Sequence, residues 1–200
     1  MYDVLIVGAG AAGMSCALVL GSAQTKVFAK NKRIGLIAHQ RTSHLQTALF
    51  NNVLGFEPGT LGSDILLQGK AQLNTLYPQV NQIENEKVKS ILKTADGFGV
   101  ATNKEIYTSK IVVVAVGYTN LINIEGLESY IAPHPKAAAA KERIWLKNEN
   151  HLIADGLYVA GTLAGLRSQF AIASGSGAQV ATDILTLWND GNDAHVHDKI

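Results

Sequence analysis

The chain has 200 residues, with 17 Lys and Arg against 16 Asp and Glu, a formal net charge of +1. At 47% hydrophobic and 16% charged residues it holds enough apolar side chains to bury a core and is not the composition of a disordered chain. The near-zero charge leaves no electrostatic footprint for nucleic acid or an anionic membrane, and a single cysteine excludes an intrachain disulfide, a cysteine-rich zinc site and a two-cysteine redox pair.

Taken in order, Tyr2 to Val7 is a short β-branched apolar run, as expected of a strand covered on both faces. Gly8-Ala-Gly10-Ala-Ala-Gly13 follows, and Met14 to Leu20 predicts a helix stopped by Gly21. Val4 to Thr25 carries no charge and is long enough to cross a bilayer, but the glycine spacing and the lack of a basic start make it a buried strand and helix of a soluble, cytoplasmic protein. Ser22 to Arg33 is a polar, basic linker. Ile34 to Ala38 is the preferred second strand, with Lys26 to Ala29 as the rival. His39 to Gly55 reads as irregular or partly helical, and Glu57-Pro58-Gly59-Thr60 as a turn. A helix capped by Ser63 or Asp64 then runs to about Leu76. Lys87 to Lys93, Phe98 to Thr102 and Glu105 to Thr108 predict three short strands, a small antiparallel β insertion at about 87–108. Ile111 to Val116 predicts a central strand, Leu157 to Ala160 another, and Ser174 to Trp188 a closing helix. The whole of 1–200 reads as one α/β domain, Rossmann-like, with a central parallel sheet.

Strand, Gly8-x-Gly10-x-x-Gly13, helix is the dinucleotide-binding arrangement. The first glycine permits a tight turn, the second lets backbone approach a pyrophosphate, and the third lets helix and strand pack closely; the phosphate then meets free N–H groups at the helix start. The acid that usually holds the ribose at the end of the second strand is missing. That position falls on His39 or Gln40, or on Lys30 if the rival strand is taken. Two readings stay open: His39 or Gln40 bonds a ribose diol, or His39 and Arg41 accept a 2′-phosphate.

Further segments carry a resemblance. Asn52-Val-Leu-Gly55-Phe56 followed by Gly62 to Gln72, Ile111-Val-Val-Val-Ala-Val-Gly117, Asp155-Gly-Leu-Tyr-Val-Ala-Gly161-Thr162, and Gln169 through Gly175-Ser-Gly177 to Asp183 stand in the order found in FAD domains. With the glycine loop, they resemble the thioredoxin reductase-like flavoproteins of the pyridine nucleotide-disulfide oxidoreductases. The resemblance implies FAD as cofactor. Gly8, Gly10, Ala12 and Gly13 would lie at the pyrophosphate and His39 or Gln40 at the adenosine ribose. Gln46 and Asn52 would lie near the flavin, and Gly117 at the end of the strand similar to the family's strand that ends in Ala-Thr-Gly. Gly161 and Thr162 would meet the ribityl chain, and Gln169 and Phe170 the pyrimidine edge of the ring.

Between about 120 and 155, where the family inserts an NADPH domain, about forty residues stand in place of the ~150 a domain needs. Neither a second glycine fingerprint nor a Cys-x-x-Cys centre is found in the chain. Thr162 replaces the acid of the family's Gly-Asp. The resemblance therefore implies an FAD-binding oxidoreductase unable to act alone as an NADPH-dependent disulfide reductase. Its electrons would come from a separate reductase or diffusing NAD(P)H, and it would form a homodimer. The competing readings are a non-catalytic dinucleotide-binding or redox-sensor module and an NAD(P)-dependent enzyme using the single fingerprint directly.

The remaining chemistry-bearing residues have plainer readings. Cys16 is a small buried hydrophobe rather than a reactive thiol. His44 is the weak catalytic candidate, an acid or base beside the flavin, or else a loop histidine bonded to backbone. His195-Val-His197-Asp198 lies in a polar tail, so no metal site is assigned. The basic run Lys26 to Arg33 reads as a solvated loop, Leu185, Leu187 and Trp188 as core or dimer contact, and Ser168 and Ser174 have no base partner in the sequence.

Overall fold

A computed structural model describes residues 1–39, 43–119, 123–194 and 196–197. Gln40, Arg41, His195 and Asp198, named above, lie outside the described residues. The fold begins with β1 (Tyr2–Val7), α1 (Ala11–Ser22) and β2 (Ile34–Ala38). A small hairpin of β3 (Leu49–Phe50) and β4 (Thr60–Leu61) leads into α2 (Gly62–Leu76). The strands β5 (Asn81–Glu84), β6 (Val88–Thr94), β7 (Gly97–Thr102) and β8 (Ile106–Val114) follow. Then come β9 (Ile131–Pro133), β10 (Ile144–Leu146), β11 (Leu152–Ala154), β12 (Leu157–Val159) and α3 (Phe170–Trp188).

Among the described residues, eight strands form the main sheet. Its spine, β12-β8-β1-β2-β5, is parallel throughout; β11 pairs antiparallel at one edge, and β6 and β7 form an antiparallel meander that joins β8. This is the α/β, Rossmann-like architecture expected from the sequence. Val4 to Val7 are buried because both faces of the sheet are covered. One face packs Val4, Ile6 and Val113 under α1 and α3; the other packs Leu5, Val7, Val112 and Val114 under the meander, Leu127 and Leu146.

Several boundaries differ from the sequence reading, each for a local reason. The two strands predicted at Glu105–Thr108 and Ile111–Val116 are one strand, β8, which pairs first with β7 and then with β1 and β12. Ser109 sits at the exchange, opposite both Phe98 and Tyr2, fully buried with its hydroxyl donating to the Ile111 carbonyl at 2.6 Å. Gly21 does not stop α1; it lies inside the helix, where a Cβ would come within 2.9 Å of the Tyr77 side chain. Neither Ser63 nor Asp64 caps α2, whose first residue is Gly62 and whose cap is Leu61, with no side-chain cap bond. The closing helix begins at Phe170, a full turn before Ser174. The basic linker is only partly solvated, since Lys32 lies 5.2 Å from the Trp188 ring and Arg33 5.3 Å from the Tyr2 ring. Leu185 is core, whereas Leu187 is exposed. Among the described residues no helix is long and apolar enough to cross a membrane.

Helix α3 lies against α1 through Gly177, where a Cβ would stand 1.9 Å from the Ala12 carbonyl oxygen. Gly177→Ala is therefore expected to force the helices apart at a cost of about 1–3 kcal/mol, lowering the melting temperature by roughly 3–10 °C. Gly175, two residues earlier, has open space where its Cβ would be. Gly175→Ala is expected to hold or raise the melting temperature, because alanine is the better helix former by up to about 1 kcal/mol. Thermal denaturation of the two variants side by side checks both.

Candidate functional site

The parallel strands β12, β8, β1 and β2 end on the same side, and a cleft of about 660 Å³ runs along their carboxyl ends. That volume falls in the range of ligand pockets, at the position where open α/β sheets bind ligands. Val7, Ile37, Ala115 and Ala160 form its floor, and the loops after those strands form its walls.

The glycine loop is built by close approach. Gly8 adopts φ +106°, and a Cβ there would stand 2.6 Å from the Ala115 carbonyl oxygen. Gly13 sits over Gly8 so closely that a Cβ would be 1.8 Å from the Gly8 carbonyl oxygen. Gly10 is different: the nearest atom to its Cβ position is Ser43 Oγ at 3.9 Å, so its backbone faces the cleft. The first helical bond of α1 runs from the Met14 N–H to the Gly10 carbonyl, which leaves the amides of 11–13 without intrahelical acceptors, and the first turn holds no acid. Helix α3 likewise starts with the Ala173 N–H donating to the Gln169 carbonyl, leaves the amides of 170–172 without intrahelical acceptors, and also holds no acid in its first turn. Two helix N-termini thus offer partial positive charge to one cleft.

Most residues singled out from the sequence line this cleft: Gly8, Gly10, Ala12, His39, His44, Gly117, Gly161, Thr162, Gln169 and Phe170. Gly13 does not line it; its part is the contact with Gly8. Gln46 lies on the short helical turn His44–Thr47 and Asn52 at the exposed end of the β3–β4 hairpin, neither on the cleft wall. Sequence reasoning missed Phe50, Lys87, Val88, Tyr118, Thr119 and Ile124, which reach the cleft from several parts of the chain. Only Tyr118 and Thr119 carried a usable signal, since they directly follow Gly117 at the end of β8.

The wall opposite α1 is held by hydrogen bonds. Gly161, at φ +78°, donates its buried N–H to Ser176 Oγ at 2.8 Å, tying the β12 loop to α3. The Thr162 carbonyl accepts from His134 Nε2 at 3.0 Å, while the Lys136 N–H donates to His134 Nδ1 at 3.1 Å. One ring nitrogen accepts and the other donates, which is the neutral imidazole with its proton on Nε2. Tyr118 packs between His44, 6.0 Å away, and His134, 5.3 Å away, with the Arg143 guanidinium 5.0 Å from its ring. Glu86 is a buried carboxylate on the cleft that accepts from Thr102 Oγ1 at 2.6 Å and from Tyr107 Oη at 3.0 and 3.1 Å. Burial, and then the Glu86 carboxylate, push the Tyr107 phenol up to about 12. Complete burial likewise pushes the Cys16 thiol far above the usual thiol range, so it is held as an inert packing group. Among the described residues no cluster of His, Cys, Asp or Glu is arranged to hold a metal.

The family described as Pyridine nucleotide-disulphide oxidoreductase matches residues 2–166, and the chain belongs to it. A ferredoxin–NADP reductase from Geobacillus kaustophilus is 31% identical over 118 residues, which are 58% of this chain and 34% of that protein. The chain thus spans about a third of that relative's length. The fold is that of a thioredoxin reductase from Gloeobacter violaceus (TM-score 0.73, 13% identity, covering 100% of this chain and 98% of that one). It is also that of T. acidophilum thioredoxin reductase (TM-score 0.67, 17% identity, covering 94% and 98%).

Removing the Ser176 hydroxyl would leave the buried Gly161 N–H without its acceptor. Ser176→Ala is expected to cost about 1–3 kcal/mol, and Ser176→Gly no less, because what is lost is the acceptor and not packing. Urea denaturation of both variants checks this.

Proposed function

We propose that this member of the pyridine nucleotide-disulphide oxidoreductases binds FAD non-covalently along the cleft and is an FAD-dependent oxidoreductase whose electrons come from outside the chain. The observation that carries the reading is the pair of acid-free helix N-termini, those of α1 and α3, that open on one cleft, with Gly10 and Gly117 leaving open space where a side chain would stand. An elongated ligand with an anion in its middle fits these groups. In this reading the amides at the start of α1 and the bare backbone of Gly10 hold the pyrophosphate. His39, at the carboxyl end of β2, meets the adenosine ribose by neutral hydrogen bonding. The β12 loop at Gly161 and Thr162 lies along the ribityl chain, its carbonyl held in place by His134. The amides of 170–172 face the pyrimidine edge of the ring, where fixed donors stabilise the charge of the reduced form without reorganising. Bound flavin would supply two-electron transfer between an outside donor and a substrate.

The segment between β8 and β12 supports an outside donor. Its described residues form a two-stranded sheet of β9 and β10, strand β11 and short helical turns, with no second strand–glycine–helix unit. With one cysteine in the chain, a reducible pair would also have to come from a partner. A second reading, a dinucleotide-binding sensor without catalysis, is favoured by one feature: His39 and Thr162 stand where acidic anchors are usual, so the cleft holds its nucleotide mainly by backbone.

The test is the absorbance spectrum of the freshly purified protein, with the cofactor released by heat and identified. Bands near ~450 nm and released FAD are expected. A colourless protein that takes up no added FAD would overturn the reading, and one that holds FAD yet resists every reductant would leave the sensor. Gly10→Ala puts a methyl group into the cleft without touching the rest of the protein. It is expected to keep the wild-type melting temperature of the apoprotein and to weaken FAD at least about tenfold, ~1.4 kcal/mol. Titration of apoprotein with FAD by fluorescence quenching reads this.

A further inference from the structure

The near-zero net charge of the chain conceals a segregation of charge along it. Between Asp3 and Glu57 there is no acid, yet Lys26, Lys30, Lys32 and Arg33 stand close together in the segment that joins α1 to β2. This segment is a series of tight turns. The Lys26, Ala29 and Lys32 N–H groups donate to the carbonyls of Ala23, Lys26 and Ala29, and the Gln24 side-chain amide donates to the Lys32 carbonyl. Ala29 is completely buried and Phe28 packs against the core, so the turns are pinned from beneath. The same turns leave Val27 95% exposed, with Lys26 and Lys30 exposed on either side of it in the chain.

The end of α3 adds apolar groups to this loop. Trp188 is half-buried, with Lys32 Nζ 5.2 Å from its ring, and Leu187 beside it is 55% exposed. None of the ion pairs among the described residues involves the four cations of the loop. Asp3 already accepts from the Arg33 N–H at 2.9 Å and from Lys110 Nζ at 3.0 Å. Asp190 and Asp193 follow Trp188 in the chain, so the net positive charge belongs to the loop and not to the α3 end. Cations around a bare apolar tip, with an indole and a leucine beside them, match the boundary between anionic headgroups and acyl chains. There lysine stems lie on apolar surface while their ammonium groups stay with phosphate, and an indole is at home. An acidic electron-carrier protein fits less well. The loop stands at the amino end of β2, whose five residues set it roughly 17 Å from the cleft, and such a partner gains nothing from Val27.

We propose that the loop from Lys26 to Arg33, with Leu187 and Trp188, docks the protein on an anionic phospholipid surface. The protein lies on the bilayer through this face and does not cross it. The cleft, at the carboxyl ends of the same strands, stays open on the side away from the lipid. The docking face is separate from the cleft, so the proposal does not rest on the flavin reading.

The experiment sediments the purified protein with sucrose-loaded vesicles, either of phosphatidylcholine alone or of phosphatidylcholine and phosphatidylglycerol in equal parts. Binding is expected on the anionic vesicles and not on the neutral ones, and is expected to fall at least about tenfold at high salt. Lys26→Gln combined with Lys30→Gln is expected to weaken binding about twentyfold, roughly fivefold for each cation. Val27→Ser is expected to weaken it at least about threefold. Lys104→Gln combined with Lys141→Gln, in the β7–β8 and β9–β10 connections, is expected to leave it unchanged. All these side chains are exposed, so every variant is expected to keep the wild-type melting temperature. A second readout is depth: anionic vesicles carrying a brominated phosphatidylcholine are expected to quench tryptophan emission, and Trp188→Phe to abolish the quenching, since Trp145 packs on Gly165. Equal sedimentation with the two kinds of vesicle, absence of quenching, or binding untouched by the double lysine variant or by Val27→Ser would overturn the proposal. Displacement from the anionic vesicles by soluble polyglutamate would overturn it in favour of an acidic protein partner.

Discussion

The arrangement depends on one steric constraint: the α-carbon of Gly13 rests on the carbonyl of Gly8, with no room for a Cβ between them. This contact presses the start of α1 onto the end of β1, and Gly8 in turn is pressed on the Ala115 carbonyl at the end of β8. Helix α3 then closes on α1 at Gly177 and Ala12. Three backbones converge where side chains would have held them apart, so the amides of the α1 start are fixed at the cleft instead of being buried or capped. The apolar character of α1 follows. A helix packed under both a sheet and another helix has no face left for charge, and Cys16, Ala17 and Leu20 are completely buried.

How much of this could be read from the sequence depended on how local the cause was. The strand–glycine–helix unit, β2 and the body of α2 were legible, because periodicity and glycine spacing act within a dozen residues. The single strand β8 was not. Its middle, Ser109-Lys110, breaks an apolar run, and only the sheet shows that Ser109 points inward at a change of partner while Lys110 reaches out to Asp3 at 3.0 Å. Glycine misled at Gly21, which read as a helix end, yet a glycine inside a helix also serves close packing, as Gly21 does beneath Tyr77, or stands open, as Gly175 does. The glycine loop and both termini of the cleft were found early. Phe50 and Lys87 were not, since what brings them to one cleft is the ordering of strands, which leaves no trace in their neighbours.

The cleft is electrically quiet for a site read as holding an anionic ligand. Among the described lining residues the one lysine, Lys87, stands beside the Glu86 carboxylate, and helix-end amides supply the rest of the positive potential. Amides do not titrate, so a nucleotide held this way keeps its anchoring as pH changes. The same holds for the walls. His134 accepts at one ring nitrogen and donates at the other, and Ser176 holds the Gly161 amide, so the β12 loop is set by neutral hydrogen bonds. Glu86, the one buried carboxylate on the cleft, is bonded to hydroxyl groups from β7 and β8 and serves the junction between the sheet spine and the meander.

The segment between β8 and β12 follows from the same economy. It supplies Leu127 and Leu146, both fully buried, to the face of the sheet that α1 and α3 do not reach, and its His134 fixes the Thr162 carbonyl. Trp145 packs on Gly165, where a Cβ would stand 2.8 Å from the indole. A short excursion thus completes the second face of the core and sets one wall of the cleft. Removing it would uncover Val112 and Val114 as well as freeing the loop at Thr162. The segment is therefore part of the domain's core rather than a linker, and residues 137–142, mostly exposed between β9 and β10, are a place in it where added chain would disturb neither task.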